Sequence, residues 1–125
     1  MPGCRSKRRS GFMLISGDVV DLDLGLPTGS EAGFPQPVII VTAQEILDRS
    51  PSVIQVVPLT STIRGFRSEI TIEPAPSGLL HASAAQCQQV RSVSSARIAG
   101  SRGNVGPVDL LRIRETLAVI FDLPG

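Results

Sequence analysis

The sequence predicts a mainly β (α+β) fold, a partly open antiparallel β-barrel of short strands with a helix at its C-terminal end. Three observations carry that reading. Apolar residues recur at every second position through several stretches, the period of a strand with one face in a core. Gly 12 and Pro 10 are high counts for 125 residues and suit short strands joined by many turns. One segment, beginning at Pro107, instead spaces its apolar residues by three and four, as a helix does. A chain of 125 residues has room for one core and not two.

The elements follow in order. Val20, Leu22 and Leu24 alternate with Asp21 and Asp23, which predicts a strand with one wet face. Residues 26–36 contain Pro27, Gly29, Gly33 and Pro35, a long loop of the functional or mobile kind. Residues 38–41 are an unbroken β-branched run, suited to a strand covered on both faces. Thr42 precedes Glu45 by three positions, a capping-box pattern for one short helix through Asp48. Strands are expected over 53–59 and 67–73; in the second, Ile70 and Ile72 oppose Glu69, Thr71 and Glu73. Residues 77–81 read as loop, 84–93 as a further strand of unusually polar character, and 100–106 as a turn-rich piece. The final helix starts at Pro107, a favoured first-turn residue, with Leu110, Ile113, Leu117 and Ile120 as its apolar stripe. Asp109, Arg112 and Glu115 fall on its other side. Several antiparallel strands and one packed helix make an SH3-like, partly open barrel.

Composition excludes several functions. Aromatics are 3% of the chain and all are Phe, so base stacking cannot dominate a nucleic-acid contact. No apolar run approaches the length of a membrane span. The start Met1-Pro2-Gly3-Cys4 lacks the apolar core of a secretory signal. Cys4 and Cys87 are the two cysteines, one of them in the N-terminal tail. This fits a cytoplasmic protein with reduced thiols, no disulfide framework, no metal set and no cofactor. Glu31 and the Asp21/Asp23 pair show no ligand spacing with histidine or cysteine and read as solvated acids.

The net charge of +1 hides an asymmetry. Arg5, Lys7, Arg8 and Arg9 hold 4 of the 12 basic residues; from Ser10 onward 8 Lys+Arg face 11 Asp+Glu, a net of −3. Bulk electrostatics therefore do not announce a nucleic-acid binder, and any such site must be a local concentration of arginine. Residues 1–13 read as a basic extension that either adds phosphate affinity or is an untethered end.

Chemistry concentrates in residues 56–73. An apolar run ends at Pro58; the hydroxyls Thr60, Ser61 and Thr62 follow, then Arg64-Gly65-Phe66-Arg67, then an alternating strand. Hydroxyl donors and two guanidiniums at one loop mouth would hold a phosphodiester, since guanidiniums offer forked donors to phosphate oxygens.

This stretch resembles the toxins of the MazF/PemK (Kid) family, in which a strand ending Pro-Leu-Thr-Ser precedes the RNA-handling loop; here the match is Pro58-Leu59-Thr60-Ser61. Gly17-Asp18-Val19-Val20 is similar to the family's opening strand, Gly29-Ser30-Glu31 to its flexible loop, and Pro37-Val38-Ile39-Ile40-Val41 to its second strand. Ala85-Gln86-Cys87-Gln88-Gln89-Val90-Arg91-Ser92-Val93 is similar to its late Gln-x-Arg-Ser strand, and Glu115-Thr116-Leu117 with Leu123 to its closing helix. The resemblance runs over roughly the whole chain from Gly17 onward and implies one toxin domain over residues 14–125. It implies a metal-independent endoribonuclease that cleaves single-stranded RNA, works as a homodimer and is held in check by a cognate antitoxin. The antitoxin would lay a disordered acidic-hydrophobic segment across Arg64, Arg67 and Arg91.

The resemblance assigns Thr60 and Gln36 as the catalytic pair. Thr60 matches the family's hydroxyl, but Gln36 stands where the family has an arginine, immediately before Pro37. An amide donates a hydrogen bond yet carries no charge and is neither acid nor base. Losing a charge-assisted contact to the phosphorane would cost about 2–4 kcal/mol, a hundredfold or more in rate. Substitutes are Arg64, Arg67 and His81, the one histidine, a residue type that titrates near neutrality. Each has a plain alternative as a solvated loop residue. The RNA-binding set comprises Ser30, Ser61, Arg64, Arg67, His81, Gln89 and Arg91. Gln86, Gln88 and Gln89 could read unpaired base edges, or could form a polar edge facing a partner subunit or water. Two function classes stay open: the endoribonuclease toxin, and a catalytically weakened or non-enzymatic relative on the same fold. Within the second, a gyrase poison of the CcdB type is disfavoured, because its Trp-Gly-Ile end is missing from a chain without Trp that closes Leu123-Pro124-Gly125.

Overall fold

The computed structural model describes residues 13–23 and 36–124. The expected loop over 26–36 therefore lies, apart from Gln36, outside the described residues, as does the basic extension before Met13. The described chain runs β1 (Asp18–Leu22), β2 (Gln36–Ile40), α1 (Gln44–Leu47), β3 (Val53–Thr60), β4 (Glu69–Ile72), α2 (Pro74–Ser77), β5 (Ser83–Gln86), β6 (Arg91–Ser94), β7 (Ile98–Asn104) and α3 (Pro107–Ile120).

Strand order is β4-β5-β3-β2-β1-β7, with β6 also paired to β3 and every pair antiparallel. The terminal strands β4 and β7 do not pair, so the barrel is open, as the sequence predicts. At that opening α2 lies against β7 at backbone contact distance. A Cβ on Gly78 would sit 2.1 Å from the Arg102 carbonyl oxygen, and one on Gly103 would sit 2.7 Å from that of Pro76. Gly78 also ends α2 at φ 76, a left-handed conformation that glycine adopts without a steric penalty.

Two apolar clusters cover opposite faces of the central strands. Val19, Ile39, Val57 and Leu59 join Ile70, Ile72, Ala85, Cys87 and Ile113 on one face. Val20, Leu22, Val38, Ile40, Ile54 and Val56 join Leu47 and Ile98 on the other. Period-two alternation sends neighbours of one strand into different clusters, which makes β2 the doubly covered strand that its β-branched run predicts. The first strand differs: Val19 is buried opposite Val20 and Leu22, so its second face is only partly wet.

α3 starts at Pro107 as predicted and packs Leu110, Ile113 and Leu117 onto the first cluster. Ile120, placed in the same stripe by sequence, is 39% exposed, because the helix end has moved past the core. Arg114 ties this helix to the sheet: its guanidinium donates to the Ser16 hydroxyl at 2.6 Å and to the Val41 and Thr42 carbonyls at 3.3 and 3.4 Å.

Four local expectations are corrected. The stretch 84–93 is not one strand: β5 ends at Gln86, a single 3₁₀ turn (Cys87–Gln89) buries Cys87, and β6 begins at Arg91. The break arises because β3 pairs with β6 over Val53–Val56 and with β5 over Leu59 and Thr60, so the returning chain must change course. The turn-rich piece 100–106 is mostly β7, whose glycines accompany two register shifts against β1 and the close approach of α2. The capping box is not made. α1 is capped by Ala43 without a side-chain bond, while the Thr42 hydroxyl bonds Gln55 on β3. Finally, β4 spans Glu69–Ile72 rather than 67–73, and Pro74–Ser77 forms the short helix α2.

Candidate functional site

β2 and β3 bring the proposed catalytic pair to one sheet end. Their register joins Val38 to Pro58, Ile39 to Val57 and Ile40 to Val56. Continued by two residues, it sets Gln36 opposite Thr60. Alternation puts both on the face of Val38 and Val56, and both are half-buried. The Thr60 oxygen accepts a hydrogen bond from the Thr62 N–H at 3.1 Å. That local turn fixes the hydroxyl oxygen and leaves its proton to donate elsewhere. Ser61 is exposed beside it, and His81 is exposed three residues before Ala84, the strand partner of Thr60.

A second group lies at the far end of β5. β3 and β4 both run antiparallel to β5, so residues 61–68 cross back over the length of that strand. They arrive at the 3₁₀ turn: the Cys87 N–H donates to the Ser68 carbonyl at 3.1 Å, and the Ser68 hydroxyl bonds the Gln88 side chain. Arg67 immediately precedes Ser68, which meets the turn at Cys87 and Gln88, and Arg91 opens β6 two residues after Gln89. Among the described residues Arg67 and Arg91 form no ion pair. The four residues of β5 separate the two groups by on the order of 10 Å. Of the RNA-binding candidates, Ser30 lies outside the described residues.

Two residues near these groups give little sign of their roles in the sequence. Glu69, which alternation places on an outward strand face, has a side chain only 4% exposed and bonds the 61–68 loop. For Arg114, only its adjacency to the stripe residue Ile113 hints at a position facing the sheet. Burial pushes the Cys87 thiol up from 9.0 to about 11, with a backbone hydrogen bond opposing the shift, so this cysteine is an inert core residue. Among the described residues, no three His, Cys, Asp or Glu side chains stand close enough to hold a metal ion. Among the same residues, no helix is long and apolar enough to cross a membrane.

Residues 15–121 match the family described as PemK-like, MazF-like toxin of type II toxin-antitoxin system. The chain belongs to the PemK/MazF toxin family. It is 30% identical over 116 residues to endoribonuclease MazF9 of Mycobacterium tuberculosis, covering 89% of this chain and 98% of the relative. It is also 30% identical over 87 residues to the probable endoribonuclease MazF5 of the same organism, covering 70% and 79%. Solved structures share the fold at lower identity. MazE–MazF from Deinococcus radiodurans superposes with a TM-score of 0.73 at 18% identity, over 90% of this chain and 99% of that one. A mycobacterial endoribonuclease in complex with its cognate antitoxin gives 0.70 at 22%, over 90% and 98%. The family resemblance, the antiparallel open sheet and the C-terminal helix thus stand as the sequence predicts.

Proposed function

We propose that this MazF-family chain is a toxin endoribonuclease that cuts single-stranded RNA without a metal ion and is neutralised by a cognate antitoxin. The observation that supports this reading is the β2–β3 register, which, if continued two residues beyond Val38 and Pro58, brings Gln36 and Thr60 to one sheet end where the arginine-bearing loop begins. In the reaction a 2′-oxygen loses its proton and attacks phosphorus, the bond to the 5′-oxygen breaks, and that oxygen takes up a proton. Charge builds on the non-bridging oxygens meanwhile, and donors aimed there lower the barrier. Thr60 supplies a hydroxyl whose oxygen is already held by Thr62, so its proton is free for the phosphate. Gln36 supplies an amide donor. His81, at the same sheet end, is the candidate for proton transfer. Arg67, Gln89 and Arg91 form the second contact zone along the strand of RNA.

The neutral amide of Gln36 favours a second reading, a weakened or binding-only relative. Cleavage of a long single-stranded RNA, with and without EDTA, separates the two. Cutting in EDTA that is lost on Thr60→Ala supports the enzyme. No cutting in any background, Gln36→Arg included, supports a binding protein instead.

Partners follow from exposed surface. Val108, Leu111, Val119, Phe121 and Leu123 of α3 and its end are exposed, Val119 to 79%, which fits an isologous contact with a second copy. A groove of about 480 Å³ runs along Val41, Ile46, Val90, Leu117 and Phe121, with Arg91 and Arg114 in its walls. Apolar walls with guanidiniums suit the acidic-hydrophobic segment of an antitoxin. A monomer by sedimentation at micromolar concentration would refute the homodimer. Unchanged antitoxin affinity after charge reversal at Arg91 would refute docking in this groove, and unchanged affinity after reversal at Arg64, Arg67 and Arg91 together would refute a path across the three arginines.

A further inference from the structure

We infer that Glu69 is a positioning residue that staples the 61–68 loop, that Arg64 belongs to this staple, and that Arg67 is the loop's free phosphate-binding cation. The inference rests on the RNA-cleaving reading for its last clause only. The Glu69 side chain is 4% exposed although it begins a strand at the loop's return. Its Oε1 accepts the backbone N–H groups of Arg64 at 3.0 Å and Gly65 at 3.1 Å. Its Oε2 stands 3.8 Å from the Arg64 guanidinium. The Glu69 N–H in turn donates to the Phe66 carbonyl at 3.0 Å, so side chain and backbone of one residue close the loop from both directions. A carboxylate this buried is retained only when its lone pairs are met, and here the loop's own donors meet them.

The same contacts divide the two arginines. Arg64 faces a carboxylate and lies with its guanidinium carbon 6.0 Å from the centre of the Phe66 ring. Part of its charge is already compensated. Arg67 is exposed and forms no ion pair among the described residues. A phosphate reaching this loop therefore gains more at Arg67, and binding there requires the loop to hold the shape that Glu69 imposes.

Two readouts test this. Hydrogen exchange reads the staple without RNA. In Glu69→Ala the Arg64 and Gly65 N–H groups should exchange on the order of tenfold faster or more, the rest of β4 staying protected. Glu69→Gln keeps an oxygen to accept both and should hold exchange near that of the parent. The salt dependence of single-stranded RNA binding, measured in EDTA with Thr60→Ala protein so that the RNA stays intact, reads the charges. Arg67→Ala should lower the log–log slope by about 0.7, one phosphate contact on a single strand. Arg64→Ala should change the slope less while loosening the loop. Glu69→Gln should raise the slope, because it releases Arg64. Unchanged exchange in Glu69→Ala overturns the staple. A slope lost with Arg64→Ala and kept with Arg67→Ala overturns the division. If the parent protein binds RNA at no salt concentration, the cation assignment falls with the RNA reading, and exchange alone decides the staple.

Discussion

Replacing Gln36 by arginine asks whether the β2–β3 register builds a catalytic pair. Gln36 opens β2, half-buried, paired with the fully buried Leu22 on one side and, by the continued register, facing Thr60 on the other. A hydrogen bond to an anionic oxygen contributes about 1.5–3 kcal/mol, and a guanidinium adds charge–charge attraction that an amide lacks. Charge on the phosphorane is greater than on the ground-state phosphate, so the difference widens in the transition state, and single donors there contribute about 3–4 kcal/mol. Half-burial subtracts part of this, because the new guanidinium loses water beside Leu22. The remainder predicts a roughly ten- to thousandfold faster cleavage for Gln36→Arg, with RNA affinity changed less.

The assay is single-turnover cleavage of a long single-stranded RNA in EDTA, paired with equilibrium binding. Thr60→Ala should lower cleavage in both backgrounds, and by more beside arginine, since the two donors then share one oxyanion. A rate left unchanged by Gln36→Arg but abolished by His81→Ala or Arg64→Ala would refute the catalytic pair. The chemistry would then sit in the chain after Thr60.

Three further outcomes concern the frame that holds the site. Gly78→Ala combines a strained φ of 76 with a Cβ 2.1 Å from the Arg102 carbonyl oxygen, and should cost about 2–5 kcal/mol in denaturant unfolding; an unchanged midpoint would show that α2 does not seat on β7. Ile113→Ala removes the fully buried contact of α3 and should cost about 2–5 kcal/mol by the same measurement. Cys87 has its folded pKa raised from 9.0 to about 11, so the native state keeps its proton while the unfolded chain loses it. Its contribution is whole below pH 9.0 and is lost as pH rises to about 11, on the order of 3 kcal/mol; Cys87→Ala should flatten stability over that window.

The legible parts of this fold are those in which a local pattern and its tertiary use coincide. The β-branched run of β2 is buried on both faces, and the stripe of α3 meets the core from Leu110 to Leu117. Local signals mislead where distant contacts outvote them. Thr42 has the spacing of a cap, yet its hydroxyl is taken by Gln55 on the neighbouring strand. Gly100 and Gly103 look like turn residues, but β7 needs glycine at 103 because α2 approaches its backbone. Residues 84–93 look continuous because nothing local records that β3 changes partners between Val56 and Leu59. The site divides the same way. A motif points to Thr60 and Gln36, and only the β2–β3 register, continued two residues past its last pair, would face them, whereas Glu69 gives no signal, its burial depending on a loop that turns back over β5.

That contrast bears on how the proposed chemistry would be held. Thr60 and Gln36 sit on strands packed on both faces, where a shift of one residue would send every side chain of one apolar cluster into the other and break the packing of both. The proposed pair would therefore be positioned by the same burial that stabilises the domain. The loop arginines have no such support: residues 61–67 are exposed throughout and are held by a few local bonds, to the Glu69 carboxylate, from the Glu69 N–H to Phe66 and from the Thr62 N–H to Thr60. A rigid donor pair and a stapled, solvent-facing loop are thus separable by perturbation. Gln36→Arg should change the rate more than the affinity, and Arg67→Ala the affinity and its salt slope more than the rate at saturating RNA. Equal effects of both substitutions on rate and affinity would mean that the two groups act as one site, against the separation that β5 imposes.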